Sequence, residues 1–92
     1  MSSTIDDILI MNGIIRKQIE SILPLINLEI YIIIKQNDRT VTKIEGILDA
    51  LLNYMHLGMG EPEFKKLNEY YRSFNKENAD IYNEFYQELM LE

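Results

Sequence analysis

The sequence contains no cysteine and no tryptophan, and its single histidine is His56. Without cysteine the chain has no disulfide, no thiolate nucleophile and no thiolate metal site. One imidazole and a few scattered serines do not make a catalytic triad, and they provide no recognisable set of transition-metal ligands. We therefore expect no catalytic residue, no metal and no cofactor, and the sequence favours a protein without enzymatic activity.

Long apolar runs and clustered positive charges are also missing. The most apolar stretch, residues 23–34, is twelve residues long and contains Asn27 and Glu29, whereas a membrane-spanning helix needs roughly 20 apolar residues. With 9 Lys and Arg against 15 Asp and Glu, the net charge of −6 disfavours phosphate backbones and anionic lipids as partners. The acidic start is unlike a secretory signal. We expect a cytoplasmic protein with no nucleic-acid and no membrane partner.

The composition predicts one folded domain over residues 1–92. Apolar residues make up 47% of the chain and charged residues 26%, a balance found in globular domains and not in disordered chains. A chain of 92 residues can build one hydrophobic core. Eight of the nine aromatic residues and most of the net negative charge lie in the second half, and no linker separates the halves.

The first helix is predicted to begin at Ser3, with Asp6 three residues later, or at Thr4, with Asp7 three residues later, and to carry apolar residues on two sides. Apolar residues that recur at helical spacing form the side predicted to face the core: Ile8, Met11, Ile15, Ile19 and Ile22. Ile10 and Ile14 lie well away from that side and form a second apolar strip. Pro24 lacks a backbone N–H and disfavours helical geometry at the residue before it, so the helix is expected to end or kink there.

Residues 25–35 fit two secondary structures. They are apolar all around a helical wheel, as in a fully buried helix, but their β-branched side chains suit a strand equally. In the alternative, an α+β fold, a β-hairpin occupies about residues 28–44. Because an isolated two-stranded hairpin is only marginally stable in water, the helix is favoured.

The remaining signals predict three further helices, the last two of which form a hairpin. Thr42 and Glu45 have the spacing of a capping box, and Gly58 suits the end of the helix that follows. Pro62 fits a first helical turn and Asn75 an N-cap. The predicted apolar stripes of the last two helices are Phe64, Leu67, Tyr71 and Phe74, and then Ala79, Tyr82, Phe85, Tyr86, Leu89 and Met90. The predicted fold is all-α, a small antiparallel bundle of three to four helices with a C-terminal helical hairpin.

Five carboxylates, here called the carboxylate ridge, share one side of the last predicted helix: Glu77, Asp80, Glu84, Glu88 and Glu92. A solvated outer face explains such a pattern, and so does a surface for a basic or helical protein partner. Ile81 lies within the ridge, which favours a contact surface. The residues assigned to partner binding are Glu77, Asp80, Ile81, Glu84, Glu88 and Tyr70.

The function class that these patterns favour is a small interaction or regulatory protein that forms a homodimer. A chain of this size does not readily hide two apolar sides of its first helix together with the isoleucine run that follows. The predicted dimer interface contains Ile10, Ile14, Ile30, Ile33 and Ile34. The alternative is a small-molecule-binding or enzymatic helical dimer whose site lies at the subunit interface, built from Arg16, Glu45, His56 and Tyr70.

Overall fold

The computed structural model describes the backbone of residues 4–91 and the side chains of residues 11–91. Over the backbone described, the chain forms four α-helices and no strand: α1 (Thr4–Lys35), α2 (Val41–Met55), α3 (Glu61–Arg72) and α4 (Lys76–Leu91). The all-α prediction is confirmed, and the alternative β-hairpin at residues 28–44 is wrong. Residues 28–35 are helical, and their most buried side chains, Ile30 and Ile33, are three residues apart, as one face of a helix requires.

Helix α1 continues through Pro24, so of the two predicted outcomes, an end or a kink, the end of the helix is wrong. Pro24 lies on an exposed side of α1, where water can bond the backbone carbonyl of Glu20 that a proline leaves without its usual donor. On the opposite side, Ile19, Ile26 and Ile30 are buried or half-buried on both sides of the proline. A continuous helix keeps these side chains on one face, and their packing offsets the lost hydrogen bond.

The hydrophobic core lies where α1, α2, α3 and α4 meet. Helix α3 contacts each of the other three. The largest side chains that are almost completely buried come from three of the four helices: Ile30, Ile33, Ile44, Leu48, Leu51, Phe64, Leu67 and Tyr71. The smaller Ala79 of α4 is buried with them. Since α1 is 32 residues long, or about 48 Å at 1.5 Å per residue, its N-terminal part extends past this core. Every described side chain from Met11 to Gln18 is exposed.

The start of α2 differs from the sequence prediction. The N-cap is Thr40, and Thr42 lies inside the helix, so the predicted capping box of Thr42 and Glu45 is wrong. Asp38 organises the turn instead: one of its carboxylate oxygens accepts hydrogen bonds from the Thr40 amide (2.9 Å) and the Thr40 hydroxyl (2.6 Å). The Glu45 carboxylate is therefore free to point toward α3 and α4.

The turn between α2 and α3 depends on two glycines. Gly58 (φ 76°) and Gly60 (φ 88°) both adopt left-handed backbone geometry, which costs other L-residues about 1–2 kcal/mol. The left-handed Gly58 agrees with its predicted place just beyond the helix end. Pro62 lies in the first turn of α3, as predicted. Gly60 is also crowded, since a Cβ there would lie 3.2 Å from Leu51 Cδ2.

We expect Gly60→Ala to lower the free energy of unfolding by about 1–3 kcal/mol, because it combines left-handed strain with the contact to Leu51. The matched control is Gly46→Ala. Gly46 is exposed in the middle of α2, and its added Cβ meets nothing within 4 Å, so this variant gains about 0.5–1 kcal/mol. Urea unfolding midpoints measure both changes, and a Gly60→Ala variant as stable as the wild type would contradict the described turn.

Helices α3 and α4 form the predicted C-terminal hairpin. Asn75 precedes α4, and its side-chain oxygen accepts a hydrogen bond from the Asn78 amide (3.4 Å), in agreement with its predicted role as N-cap. The Phe64 and Tyr86 rings stack with centroids 5.6 Å apart. Phe85 departs from the prediction, since it is 47% exposed. Helix α4 packs through the side that holds Ala79, Tyr82 and Tyr86, and Phe85 lies at the edge of that side.

Candidate functional site

An apolar strip on α1 is left exposed by the described residues of the other helices. It contains Met11, Ile14, Ile15, Ile22, Leu25, Leu28 and Ile32, and each of these side chains is between 37% and 66% exposed. They recur at intervals of three, four and seven residues, which places them along one side of the helix. We call this surface the α1 strip. Met11, Ile15 and Ile22 were predicted to face the core, and that prediction is wrong because no other described helix covers this side of α1, whereas Ile19 of the same predicted set is buried.

The structure separates the residues predicted to form a dimer interface. Ile30 and Ile33 are 0% and 1% exposed within a single chain, so they offer no surface to a second copy, and their assignment to the interface is corrected. Ile34 is half-buried against the same core. Ile14 lies on the α1 strip. The side chain of Ile10 lies outside the part of the chain that the structure describes.

The carboxylates of the ridge differ in whether they pair with a cation. Glu77, Glu84 and Glu88 are exposed, and within the described residues none of them forms an ion pair. Asp80 instead pairs with Lys76 (2.7 Å) and Arg72 (3.5 Å) on the side toward α3. The hydrogen bond from Lys76 holds the pKa of Asp80 below its usual range. The structure does not describe Glu92.

Tyr70, the other residue assigned to partner binding, lies away from the ridge. It is half-buried on α3, and its hydroxyl donates to the Asp38 backbone carbonyl (2.9 Å). This bond ties α3 to the turn before α2, so Tyr70 acts as a structural contact and lies apart from Ile81, Glu84 and Glu88.

A groove runs between α2 and α4, with an open cavity of about 250 Å³ lined by Glu45, Asn78, Ile81, Tyr82 and Phe85. Ile81 and Phe85 are 43% and 47% exposed, and they lie one helical turn apart on α4. The Tyr82 hydroxyl donates to Asp49 across the groove (2.7 Å). We call this feature the α2–α4 groove. The sequence predicted Ile81 as a contact residue, but it assigned Phe85 to the core and Glu45 to a cap and to the alternative small-molecule site, and Asp49 was not predicted. The spacing of four residues between Ile81 and Phe85 was the available signal.

Hydrogen bonds around Tyr71 connect the helices beneath the α2–α4 groove. The buried Tyr71 hydroxyl donates to the Glu45 carboxylate and accepts from the side-chain amides of Asn75 (3.1 Å) and Asn78 (3.2 Å). Burial raises the pKa of Tyr71, and the adjacent Glu45 raises it further. The network connects α2, α3 and α4, so it fixes the Glu45 carboxylate at the edge of the groove.

Asp38 provides a pH-dependent contact at the start of α2. Hydrogen bonds from the Thr40 side chain and from Lys43, followed by the Thr40 amide, lower the pKa of Asp38 from 3.8 to about 2. A carboxyl group whose pKa is lower in the folded state stabilises that state above its unfolded pKa. This contribution is therefore fully present above about pH 4 and is lost as the pH falls toward 2.

We expect the carboxyl carbon of Asp38, followed by NMR, to titrate with a midpoint of about 2. In Thr40→Ala, which removes the donor with the largest effect, the midpoint moves up toward 3.8. A wild-type midpoint near that ordinary value would contradict the hydrogen-bonded turn.

The four residues of the small-molecule alternative do not come together. Arg16 donates to the Leu57 backbone carbonyl (2.6 Å) beside His56, at the C-terminal end of α2. Glu45 lies near the opposite end of the same helix, eleven residues or roughly 16 Å away along the axis. A cavity of about 340 Å³ between α3 and α4 is lined by other residues, including Asn68, Arg72 and Tyr86. The described residues thus build no shared pocket from the predicted set.

The described residues contain no cluster that could hold a metal ion and no helix that could span a membrane. Among them, no group of three or more His, Asp or Glu side chains is arranged to hold a metal ion. No helix in the described part of the chain combines the length and apolar character that crossing a membrane requires.

Comparison with known proteins assigns no function. No protein-family model matches the sequence, and neither the curated proteins nor the solved structures contain a significant match.

Proposed function

We propose that the chain is a small helical interaction protein that forms a homodimer through the α1 strip. The observation that supports the proposal is the continuous row of seven large apolar side chains, between 37% and 66% exposed, on one side of α1. Contiguous apolar surface of this kind is uncommon on monomeric soluble proteins and marks interaction surfaces.

The size of the α1 strip fits a protein interface. A large apolar side chain presents on the order of 150–200 Å² when fully exposed. Seven that are about half exposed offer on the order of 500–700 Å² per copy, close to the roughly 800 Å² per partner of a standard interface. The polar side chains of Gln18 and Ser21, which lie within the strip, add to this area.

The chemistry of the strip favours a second copy of the chain as its occupant. Over residues 11–28 the strip holds no charged side chain, and the half-buried Glu29 is the one carboxylate within it before Ile32. In a two-fold interface the same surface meets itself, so a surface rich in charge of one sign would repel its copy, while a strip that is apolar over most of its length is self-complementary. The cytoplasmic, cysteine-free protein predicted from the sequence would then act as a dimer that presents two identical outer surfaces.

Light scattering on a sizing column, at two well-separated loading concentrations, tests this proposal. The wild type is expected at twice the 10.9 kDa mass of one chain. Leu25→Glu combined with Leu28→Glu, at positions 66% and 56% exposed, should give a folded monomer, because carboxylates in an apolar interface lose their hydration without a partner. The control adds the same charge at exposed positions on α2 and α4, as Asn53→Glu with Gln87→Glu, and remains dimeric. A monomeric wild type at both concentrations would refute the proposal.

A further inference from the structure

The α2–α4 groove combines an exposed apolar part with acidic rims. Its apolar part is Ile81 and Phe85, two large side chains that α4 exposes one turn apart. Its rims are acidic. On the α2 rim lie Glu45 and Asp49, and the α4 side chains next to Ile81 and Phe85 on the helix surface are Glu77, Glu84 and Glu88.

None of these five carboxylates is neutralised by a cation within the described part of the chain. The four ion pairs there involve Asp38, Glu61 and Asp80 as acids. Glu45 and Asp49 accept hydrogen bonds from neutral tyrosine and asparagine side chains, which leave their charges in place. The electrostatic potential around Ile81 and Phe85, the apolar floor of the groove, is therefore negative on both the α2 side and the α4 side.

The geometry points to an amphipathic helix of a partner protein as the occupant, and we propose that this helix carries apolar residues on one face and Lys or Arg on both flanks. A groove between two packed helices is the shape that a third helix fills. Apolar side chains of the partner would cover Ile81 and Phe85, and its flanking cations would meet the carboxylates of α2 and α4.

Helix α4 of a second copy does not fit this groove, and α1 is engaged in the proposed dimer. From Glu77 to Glu92 there is no Lys or Arg, so α4 of another copy would bring like charges against the rims. Arg72 at the end of α3 and Lys76 at the start of α4 are themselves engaged, because both pair with Asp80. The proposal therefore goes beyond self-association through the α1 strip and concerns a different helix and a different partner.

The probe is a fluorescently labelled synthetic peptide of about 15 residues, with leucines at helical spacing on one face and lysines elsewhere. Fluorescence anisotropy measures its binding to the wild-type protein and to three variant pairs. Ile81→Ala with Phe85→Ala removes the apolar floor, and Glu84→Gln with Glu88→Gln removes part of the acidic rim. Glu63→Gln with Glu69→Gln removes the same charge from α3 and serves as the matched control.

We expect saturable binding that weakens with rising salt and is reduced by about tenfold or more in each groove pair. The α3 pair should bind within about twofold of the wild type. A peptide of the same composition, scrambled so that it has no apolar face, should bind at least about tenfold more weakly. Circular dichroism of each variant checks that its helical content is unchanged.

Three outcomes would overturn the proposal. The first is equal binding of the amphipathic and the scrambled peptide, which would reduce the interaction to net charge. The second is an α3 pair that loses as much affinity as the Glu84 and Glu88 pair. The third is no binding at peptide concentrations on the order of 1 mM. Binding is also measured with the Leu25→Glu, Leu28→Glu protein, and unchanged affinity there shows that the two proposals succeed or fail separately.

Discussion

Replacing Ile30 with aspartate is expected to abolish the folded state, whereas Leu28→Asp, two residues away on the same helix, leaves the fold intact. Ile30 is 0% exposed at the centre of the core, and Leu28 is 56% exposed on the α1 strip. An unpaired carboxylate at position 30 costs several kcal/mol in desolvation, and the lost apolar packing adds about 2–5 kcal/mol. This total is comparable with the whole stability of a small domain, about 5–15 kcal/mol.

Circular dichroism and thermal unfolding measure both variants. Ile30→Asp should lose most of its helical signal and its cooperative transition, and Leu28→Asp should retain them. A cooperative, fully helical Ile30→Asp protein would mean that Ile30 does not lie in the core. Ile30 could then contribute to a dimer interface, as the sequence predicted.

The second large effect is expected for Phe64→Ala, which should lower the free energy of unfolding by about 3–5 kcal/mol. Phe64 is almost completely buried in the core and stacks on Tyr86 of α4. Its removal leaves a cavity where α3 meets α4, and Tyr86, whose hydroxyl donates to Glu61 (2.7 Å), cannot move to fill the space without breaking that bond.

Phe85→Ala is the matched control, because it makes the same substitution at an exposed position of α4. It should cost about 0.5 kcal/mol or less. Urea unfolding midpoints of the two variants provide the comparison. Equal losses would contradict the orientation of α4, in which Tyr86 faces the core and Phe85 faces the α2–α4 groove.

The turns and the helical hairpin were predictable because they depend on local chemistry. Gly58 supplies left-handed geometry, Pro62 fits a first turn and Asn75 caps α4, and each of these effects acts within a few residues. The same holds for the apolar stripe of α3, where the spacing of Phe64, Leu67 and Tyr71 alone indicates a buried face.

The sequence predictions went wrong where the outcome depends on which helix covers which face. A helical wheel places Ile15 and Ile22 together but does not show whether a neighbouring helix reaches them. The rule for Pro24 was overridden because packing on both sides of the proline favours one continuous helix. Glu45 was assigned to a cap, yet it contacts Tyr71 of a helix that begins sixteen residues later.

The same limit applies to the candidate surfaces. The exposed carboxylates of α4 follow from periodicity, and Ile81 was found among them. Phe85 lies four residues from Ile81, a spacing that places both on one side of α4. Glu45 and Asp49 belong to the α2–α4 groove only because α2 and α4 pack side by side, and that placement has no local signal. For Asp80, the spacing of four residues from Lys76 does predict an ion pair, which the structure contains.

Cross-linking at one introduced cysteine shows whether two copies of the chain meet through the α1 strip. The chain has no cysteine of its own, so Ser21→Cys, at an exposed position near the middle of the strip, provides a unique thiol. A disulfide requires Cα atoms about 4.4–6.8 Å apart, so a covalent dimer forms readily only where the two copies of α1 meet near this position. Rapid oxidation of Ser21→Cys to a covalent dimer is expected, while Glu69→Cys, exposed on α3, stays monomeric. Equal cross-linking of the two variants, or none at Ser21→Cys, would contradict a dimer that forms through the α1 strip.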